Sequence, residues 1–276
     1  MRPSVGWVLI LCAVLLGVGC LTGLTTVLFG FGGGFVTVPV VAVVVAAYGG
    51  GDAMHTAVAT STAVMLVTAS WATLAQHRAG RLQPQYLWPM IAFIAVGAAL
   101  GAIAADWVSN TVLTVLFVVY LAGTIADSVT RSGFLSGATG HNAVPKPLSR
   151  TTATVGGIGV GAVASFLGVG GSVMTVPLLR RKGLPMADAT ALANPLSVPV
   201  AAVATIVYAV TGPAVPQPGQ LGHVDLTAAT ALLGGSLPTI ALAPRVIGSI
   251  PDRVHAIAYL ILLTVVLVVM TVLALR

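Results

Sequence analysis

The sequence predicts an all-α integral membrane protein that forms one transmembrane domain, residues 1–276, with about 8 to 10 transmembrane or re-entrant helical segments. Composition is the first reason: 57% of the residues are hydrophobic and 7% are charged, whereas about 25% are charged in a typical soluble domain. Charge placement is the second, because the chain has no Glu and nearly all its Asp, Lys and Arg residues stand between apolar stretches. A soluble fold could not cover its surface with so few charged groups.

Ten apolar segments follow one another along the chain. They cover residues 5–29, 34–48, 54–75, 86–105, 111–129, 151–167, 172–179, 188–210, 224–243 and 254–275. We predict helices because peptide groups without partners cannot face hydrocarbon, which leaves helices or a closed barrel. Barrel strands alternate polar and apolar residues, and the run Val40 to Ala47 does not alternate. The segments 34–48 and 172–179 are short. Each either spans the membrane fully or is re-entrant.

An internal repeat divides the segments into two sets of five. The matching stretches are Gly30–Pro39 with Gly168–Pro177, Thr56–Ser61 with Thr190–Pro195, and Gly80–Gln83 with Gly222–Asp225. Three matches in the same order indicate a duplication. We therefore predict a first repeat at 1–129, a polar cytoplasmic linker at 130–150 and a second repeat at 151–276.

An odd number of segments in each repeat predicts that the second repeat is inverted relative to the first. If the loop with Arg78 and Arg81 is cytoplasmic, every Lys and Arg except Arg2 and Arg276 falls on the cytoplasmic side. This agrees with the positive-inside rule. We expect a multi-pass protein of the cell (cytoplasmic) membrane with cytoplasmic charged loops and both termini outside.

The repeated glycine-rich element predicts the functional site. Glycines break a helix, and a short helix then begins near Gly34 and again near Ser172, each with unpaired N–H donors and a partial positive charge. Discontinuous helices that meet inside inverted repeats are typical of secondary-transporter sites. The predicted anion-binding residues from this element are Gly32, Gly33, Gly34, Thr37, Pro39, Gly170, Gly171, Ser172, Thr175 and Pro177. No Lys or Arg falls inside these segments, so we expect no full positive charge there.

Polar residues on the long segments after the breaks complete the predicted site. Thr60, Ser61 and Asn194 interrupt otherwise apolar stretches and either line a solute path or form interhelical hydrogen bonds. The alternative for the repeated glycines is close helix packing, which is also our interpretation of the pairs Gly19/Gly23 and Gly97/Gly101.

Several functional classes lack support in the sequence. It contains no nucleophile–base pair, P-loop or metal-ligand spacing, so we expect no enzyme activity, no cofactor and no metal. Positive charge lies in short loops without interleaved aromatic residues, so no nucleic-acid binding is expected. The expected partners are a small anionic solute and the lipid bilayer. The coupling ion, proton or sodium, and the oligomeric state stay open.

The motifs Gly30–Pro39 and Gly168–Pro177, with the Ala-Thr-Ser run that ends at Ser61, resemble those of the TauE/SafE family, also called the toluene sulfonate uptake permease family. This resemblance covers essentially the whole chain. It implies a membrane transporter for sulfite, sulfonates or other sulfur-bearing organic anions. Ser172 and the pair Asn194-Pro195 depart from the family pattern. The alternatives are an anion channel and a structural or assembly component of a membrane complex.

Overall fold

The computed structural model describes residues 5–47, 52–130, 134, 147–212, 219–248 and 250–275. In these ranges it contains eleven α-helices, one π-helical turn at Thr152–Gly156 and one two-stranded hairpin. The helices are α1 Val5–Phe29, α2 Gly34–Ala47, α3 Ala53–Arg78, α4 Pro84–Leu87, α5 Met90–Ala105, α6 Asn110–Thr130, α7 Gly157–Leu167, α8 Ser172–Arg181, α9 Met186–Val210, α10 Leu226–Val246 and α11 Asp252–Ala274. The strands are β1 Gln220–Leu221 and β2 Val224–Asp225.

The predicted all-α membrane fold is confirmed. Seven helical stretches of the described chain are long and apolar enough to cross a membrane. They contain α1, α3, α4 with α5, α6, α9, α10 and α11. The helices α2, α7 and α8 are shorter, and all three fall below the roughly 20 residues that a spanning helix needs.

Several predicted segments differ from the helices that form: 54–75 ends three residues before α3 does, and the first two residues of 224–243 form β2. The segment 86–105 is interrupted because Pro89, at the N-cap of α5, has no N–H to continue a helix. The segment 172–179 is too short, since α8 continues to Arg181. The predicted linker, 130–150, lies mostly outside the described residues, so the proposed repeat boundaries stay a prediction.

The helices α1 and α10 run side by side in the same direction. Gly19 lies against Leu232 and Gly23 lies against Ser236, where an added Cβ would stand 2.3 Å and 2.5 Å from the respective carbonyl oxygens. Small residues allow such close backbone approach between membrane helices. The predicted packing role of these two glycines is confirmed.

The helices α5 and α7 form an equivalent pair. Gly97 lies against Ile158 and Gly101 against Ala162, and in both places an added Cβ would stand 2.0 Å from a carbonyl oxygen. In each pair, the first helix of one predicted repeat therefore packs in parallel against the fourth segment of the other repeat. This exchange is what two repeats related by a two-fold axis would produce.

The hairpin marks one end of the molecule, called here the hairpin end. The N–H of Asp225 donates to Thr60 Oγ1 on α3 at 2.9 Å, and the N–H of His223 donates to the Tyr208 carbonyl on α9 at 3.0 Å. Thr60 is near the start of α3 and Tyr208 is near the end of α9, so these two equivalent helices run in opposite directions. The repeats consequently have inverted topology, as the odd segment number predicts.

The opposite end carries the positive charge and is called here the cationic end. By the directions of their helices, all Lys and Arg residues of the described ranges lie there. They are Arg78, Arg81, Arg150, Arg180, Arg181, Lys182, Arg245 and Arg253. The described charged residues of the hairpin end are instead three carboxylates, Asp52, Asp106 and Asp225.

Candidate functional site

Two interruptions of the helices lie in the interior. The first break, Gly30–Gly33, separates α1 from α2, and the second break, Gly168–Gly171, separates α7 from α8. Every residue of both breaks is buried. The conformation is therefore closed to water at both breaks.

Ser61 joins the two breaks. Its Oγ lies 2.6 Å from the Gly168 carbonyl oxygen and 3.0 Å from the Gly34 carbonyl oxygen, and it donates toward both. The carbonyl of Gly168 is also near Gly34 itself, since an added Cβ on Gly34 would meet it at 2.8 Å. We call this meeting of the breaks at Ser61 the junction.

The junction lies at mid-height in the helix bundle. A Cβ added to Gly170 would stand 2.8 Å from Met65 Sδ and 2.9 Å from Ser197 Oγ. Met65 and Ser197 are near the midpoints of α3 and α9, the two central helices of the repeats. This is the depth at which discontinuous helices form the sites of secondary transporters.

The backbone of the first break requires glycine at three positions. Gly30, Gly32 and Gly33 have φ angles of 70°, 60° and 84°, which place them in the left-handed region. Other L-residues lose roughly 1–2 kcal/mol there. The second break needs this conformation only at Gly168, where φ is 68°, while Gly171 has an ordinary helical φ of −61°.

Both breaks end in the N-terminus of a helix. No described residue accepts a hydrogen bond from the N–H groups of Gly34, Phe35 and Val36 in α2, or of Ser172 and Val173 in α8. Such free donors, with the helix dipole, favour an anion nearby. The predicted glycine-rich positions thus supply two buried helix ends in adjacent places.

The predicted hydroxyl and amide groups are all buried, but they differ in their partners. Thr37 Oγ1 donates to the Gly33 carbonyl at 2.8 Å, so it serves its own helix. In the described structure, Ser172 Oγ and Thr175 Oγ1 have no hydrogen-bond partner. Asn194 Nδ2 donates to the Thr26 carbonyl at 3.3 Å, whereas its Oδ1 lacks a partner among the described residues.

Thr60 lies away from the junction, although it precedes Ser61. Its Oγ1 accepts the hydrogen bond from the Asp225 N–H in the hairpin. Consecutive residues of a helix point in directions roughly 100° apart, so the two side chains have different roles: Ser61 contacts the breaks, and Thr60 holds the hairpin.

The two predicted prolines free a carbonyl one turn earlier, because proline has no N–H. Pro177 leaves the Val173 carbonyl without its helical partner, and Tyr259 Oη donates to that carbonyl at 3.3 Å. Pro39 acts in the same way on the Phe35 carbonyl. Both prolines are buried inside their short helices, where they support the helix ends rather than contact the junction.

Three threonines near the first break escaped the sequence analysis. A Cβ on Gly33 would stand 2.4 Å from Thr22 Cγ2, 3.4 Å from Thr68 Oγ1 and 3.5 Å from Thr26 Oγ1. Thr68 Oγ1 lies 2.5 Å from the Gly32 carbonyl oxygen, and Thr22 Oγ1 is buried without a partner in the described chain. For Thr22 and Thr26, the cluster of Thr residues just before Gly30 was the available signal in the sequence.

An aromatic column runs from the cationic end to the first break. Its members are Phe134, Tyr259, Phe31, Phe35 and Phe117, with successive ring centroids 5.6 Å, 5.2 Å, 4.8 Å and 6.5 Å apart. Rings at these separations attract one another and fill space. The column therefore fills the space between the cationic end and the first break, to which Phe31 belongs.

Arg180 corrects the expectation that no Lys or Arg is buried. Its side chain is fully buried, with Nη1 2.8 Å from Asp252 Oδ2 and Nη2 donating to the Phe134 carbonyl at 2.6 Å. The prediction was wrong because α8 continues past residue 179 and turns this guanidinium toward the aromatic column. A single cation thus stands at the inner edge of the cationic end.

The described residues offer no evident metal site, since no three or more His, Cys, Asp or Glu side chains come together there in a metal-binding group. Cys12 and Cys20 are both free and exposed. The chemistry at the junction is accordingly that of backbone N–H groups, carbonyls and hydroxyls.

The sequence of this chain matches a known protein family over most of its length. The model of the family described as "Sulfite exporter TauE/SafE" matches residues 15–270. The chain belongs to this family.

One curated relative of this TauE/SafE protein is a "Probable membrane transporter protein" of Haemophilus influenzae, 28% identical over 179 residues. The match covers 62% of this chain and 64% of the relative, so the chain spans less than two thirds of that relative's length. No solved structure matches. The family's description names an exporter and the relative's description names a membrane transporter.

Proposed function

We propose that this protein is a secondary transporter, or permease, that moves a small anion across the cytoplasmic membrane. The substrate class is sulfite, a sulfonate or another sulfur-bearing organic anion. The description of the family supports the sulfur chemistry, and the junction supports the anion. The protein moves its substrate without changing it chemically.

The observation that carries the proposal is that two buried helix N-termini belong to adjacent breaks, which Ser61 joins by donating toward the Gly34 and Gly168 carbonyls. Each helix end supplies roughly 0.3–2 kcal/mol toward a nearby anion. Two ends together with hydroxyl groups offset much of a desolvation cost of several kcal/mol. An anion held by dipoles, with no full charge in contact, is also released readily, which a transport cycle requires.

The proposed substrate-binding set keeps the predicted residues except Thr60 and gives them different weights. The free N–H groups of α2 and α8 bind the anion, and the unpartnered hydroxyls of Ser172 and Thr175 contribute donors. Ser61 donates toward carbonyls of both breaks, so a movement of one break acts on the other. Thr60 lies outside the binding set and anchors the hairpin.

We propose that the cationic end faces the cytoplasm, since positive charge collects on that side of the membrane. The hairpin end is then outside. The two described ends are closed in different ways: the aromatic column and Arg180 block the cytoplasmic side, and the hairpin with the start of α3 covers the other. Alternating opening of these two closures would expose the junction to each side in turn.

A thermal-shift screen of the purified protein in detergent tests the ligand class. The panel contains sulfite, sulfate, thiosulfate, short sulfonates and carboxylates of matched size. A ligand that binds the folded protein raises its melting temperature by mass action. We expect a shift with a sulfur oxyanion or sulfonate, and a shift confined to carboxylates would contradict the sulfur assignment.

Uptake of the same labelled anion into proteoliposomes tests transport. We expect saturable uptake that is absent from protein-free vesicles. Uptake that rises linearly with concentration would instead support an anion channel. Binding of no panel member and no uptake would support a structural or assembly component of a membrane complex.

A further inference from the structure

Two histidines meet at the hairpin end, remote from the cationic end. His55 is buried in the first turn of α3, and His223 lies in the turn between β1 and β2. Their ring centroids are 5.7 Å apart and the rings are tilted by 32°. Residues that are far apart in sequence thus bring two titratable rings together between the two repeats.

Both ring nitrogens of His55 face oxygen acceptors. Nδ1 lies 2.9 Å from Asn110 Oδ1, and Nε2 lies 3.1 Å from the Ala105 carbonyl oxygen. The Asn110 atom is identified as oxygen because it also accepts from the N–H groups of Met54 and His55, at 3.1 Å and 3.3 Å. A neutral imidazole has one N–H and a protonated one has two. Only the protonated ring donates a hydrogen bond to both of these oxygens at once.

His223 has a carboxylate beside it. Its Nε2 lies 3.3 Å from Asp106 Oδ1, in the connection between α5 and α6. A proton on this ring would be held by the carboxylate, and a proton on His55 would be held by its two oxygens. Two positive rings at this separation would repel each other. The pair is therefore built to carry one proton in preference to two.

Two carboxylates on the elements around this pair, Asp52 before α3 and Asp225 in the hairpin, also favour a cation. Tyr208 at the end of α9 carries an uncharged phenol that donates to the Ser165 carbonyl. In the described ranges, no Lys or Arg lies on the same end of the molecule. Hard cations such as Ca²⁺ and Mg²⁺ take oxygen ligands. Softer metals bind imidazole, but the described His, Cys, Asp and Glu side chains do not come together in a metal-binding group of three or more. The geometry therefore favours a proton over a metal cation.

The histidine pair is mechanically connected to the junction. Asp225, two residues after His223, donates through its N–H to Thr60 at 2.9 Å. Thr60 precedes Ser61, and His55 is on the same helix. Movement of the hairpin therefore acts on the helix that holds both breaks together.

We propose that His55, His223 and Asp106 form a proton-binding site and that the coupling ion of transport is a proton. This inference rests on the proposed transport of an anion. A proton on His223 holds the hairpin to Asp106, and a proton on His55 holds α3 to α5 and α6. Loss of the proton weakens the contact that carried it and loosens this closure. The hairpin end then opens or closes according to the protonation of the pair.

The proton site can be tested without transport. Ring signals of ¹³C-labelled histidine in the purified protein are titrated by NMR between about pH 5 and about pH 8, the range in which histidine changes charge. Signals lost in His55→Gln and in His223→Gln identify the two rings. We expect the removal of either ring to shift the titration midpoint of the other, because interacting sites titrate as a pair. Two independent titrations would overturn the proton site.

Coupling is tested in proteoliposomes that contain a pH-sensitive dye. The probe is methanesulfonate, an anion of a strong acid that carries no proton of its own at these pH values. In the wild type we expect an imposed methanesulfonate gradient to change the internal pH. We expect His223→Gln and Asp106→Asn to lose this proton movement, while methanesulfonate uptake persists or becomes independent of pH.

His77→Gln is the matched control, because His77 is exposed at the other end of α3. His255→Gln tests the one other buried histidine of the described chain, which packs at the cationic end with its Nε2 2.5 Å from the Leu28 carbonyl oxygen. Both controls should retain proton coupling. Loss of coupling only in His255→Gln would overturn our assignment.

The two proposals fail in different ways. Anion uptake that moves no protons, or that depends on sodium, overturns proton coupling and leaves the transport function standing. Absence of uptake for every anion in the panel overturns transport and, with it, coupling, whereas the NMR titration still decides whether the pair binds a proton. Proton movement that persists in both histidine variants also overturns the assignment.

Discussion

The two breaks occupy equivalent positions in the repeats, yet their backbones are built differently. Three left-handed glycines form the first break, and one forms the second. At equivalent positions, Gly33 has a φ of 84° and Gly171 has a φ of −61°. The first break thus requires left-handed glycine at three positions, whereas the second requires it only at Gly168 and has an ordinary helical backbone at Gly171.

The linings of the two breaks differ in the same sense. Thr22, Thr26 and Thr68 surround Gly33, whereas Val160 and Val200 are the side chains nearest Gly171. Thr22 and Val160 correspond in the repeat alignment. Duplication thus explains why the two breaks occupy equivalent positions. Divergence of the two copies explains why the polar groups surround only the first break. We infer that the first break contributes more to anion recognition.

The far ends of the short helices differ as well. Arg180 in α8 corresponds to Ala42 in α2, and both are buried. Only the second repeat therefore sends a cation toward the aromatic column. The asymmetry fits a protein whose two ends close by different means.

Arg180→Gln should have the largest effect on stability. Glutamine cannot keep the contacts with both Asp252 and the Phe134 carbonyl, so both lose a buried partner. Breaking a buried pair costs about 3–5 kcal/mol, and the partial exposure of Asp252 places the loss at the lower end of that range. Thermal unfolding in detergent measures this loss.

Arg181→Gln is the control for Arg180→Gln. Arg181 pairs with Asp127, but both side chains are about one-third exposed. Exposed pairs contribute at most about 1 kcal/mol. Equal melting temperatures for the two variants would contradict the contrast between a buried and an exposed cation.

Gly33→Ala and Gly171→Ala test the backbone difference directly. Alanine at Gly33 meets a left-handed backbone, which costs roughly 1–2 kcal/mol, and a clash with Thr22 Cγ2 that adds about 1 kcal/mol or more. Alanine at Gly171 keeps an ordinary helical backbone and makes one tight contact, with Val160 Cγ1 at 3.0 Å. We expect a large loss of melting temperature and uptake for the first variant and a small loss for the second.

Gly159→Ala serves as the reference for both glycine variants, because an added Cβ there has nothing within 4 Å. It should resemble the wild type in stability and uptake. If Gly33→Ala and Gly171→Ala lower stability equally, the two breaks are not distinguished by their backbones.

The positions of the breaks could be predicted from the sequence, whereas their linings could not. Runs of glycine interrupt an apolar segment whatever surrounds them, and the first predicted segment, 5–29, coincides with α1. Ser61 was predicted because a hydroxyl is conspicuous in an apolar stretch. The match between repeats then indicated that the two breaks would meet.

Contacts between distant segments explain what the sequence left hidden. Arg180 stands at a segment boundary, and only its packing against Asp252 shows that it is buried. Thr60 looked equivalent to Ser61, because its partner Asp225 is far away in sequence. His55 and His223 are far apart in sequence, and only the hairpin brings their rings together.

Ser61→Ala tests the contact between the two breaks. The variant removes the donor to the carbonyls of Gly34 and Gly168, and a buried polar group left without a partner costs about 1–3 kcal/mol. We expect a lower melting temperature and reduced anion uptake. The equivalent position in the second repeat is Pro195, which offers no hydroxyl to compensate.

Ser197→Ala is the comparison for Ser61→Ala. Ser197 is also buried at mid-height, but its Oγ donates only to Ala193 in its own helix, at 2.9 Å. We expect a smaller loss of stability, about 0.5–1.5 kcal/mol, and near-normal uptake. A greater effect from Ser197 would remove Ser61 as the link between the breaks.

Thr22→Val should change stability least while still affecting recognition. Valine has nearly the shape of threonine, and Thr22 Oγ1 has no partner among the described residues, so its loss leaves no protein group unpaired. The melting temperature should stay constant or rise slightly, with a gain of about 1 kcal/mol in the free energy of unfolding. If the hydroxyl contacts the anion, losing a bond to a charged group costs about 1.5–3 kcal/mol, roughly a tenfold or greater weakening of binding.

Val160→Thr makes the opposite exchange at the second break and completes the test. It adds a hydroxyl to an apolar lining, next to Gly171, and should lower stability without strengthening anion binding. Binding to each variant is read from the concentration dependence of the thermal shift. If Thr22→Val binds the anion as tightly as the wild type, the threonines only pack the first break, and recognition depends on the helix N-termini that both repeats share.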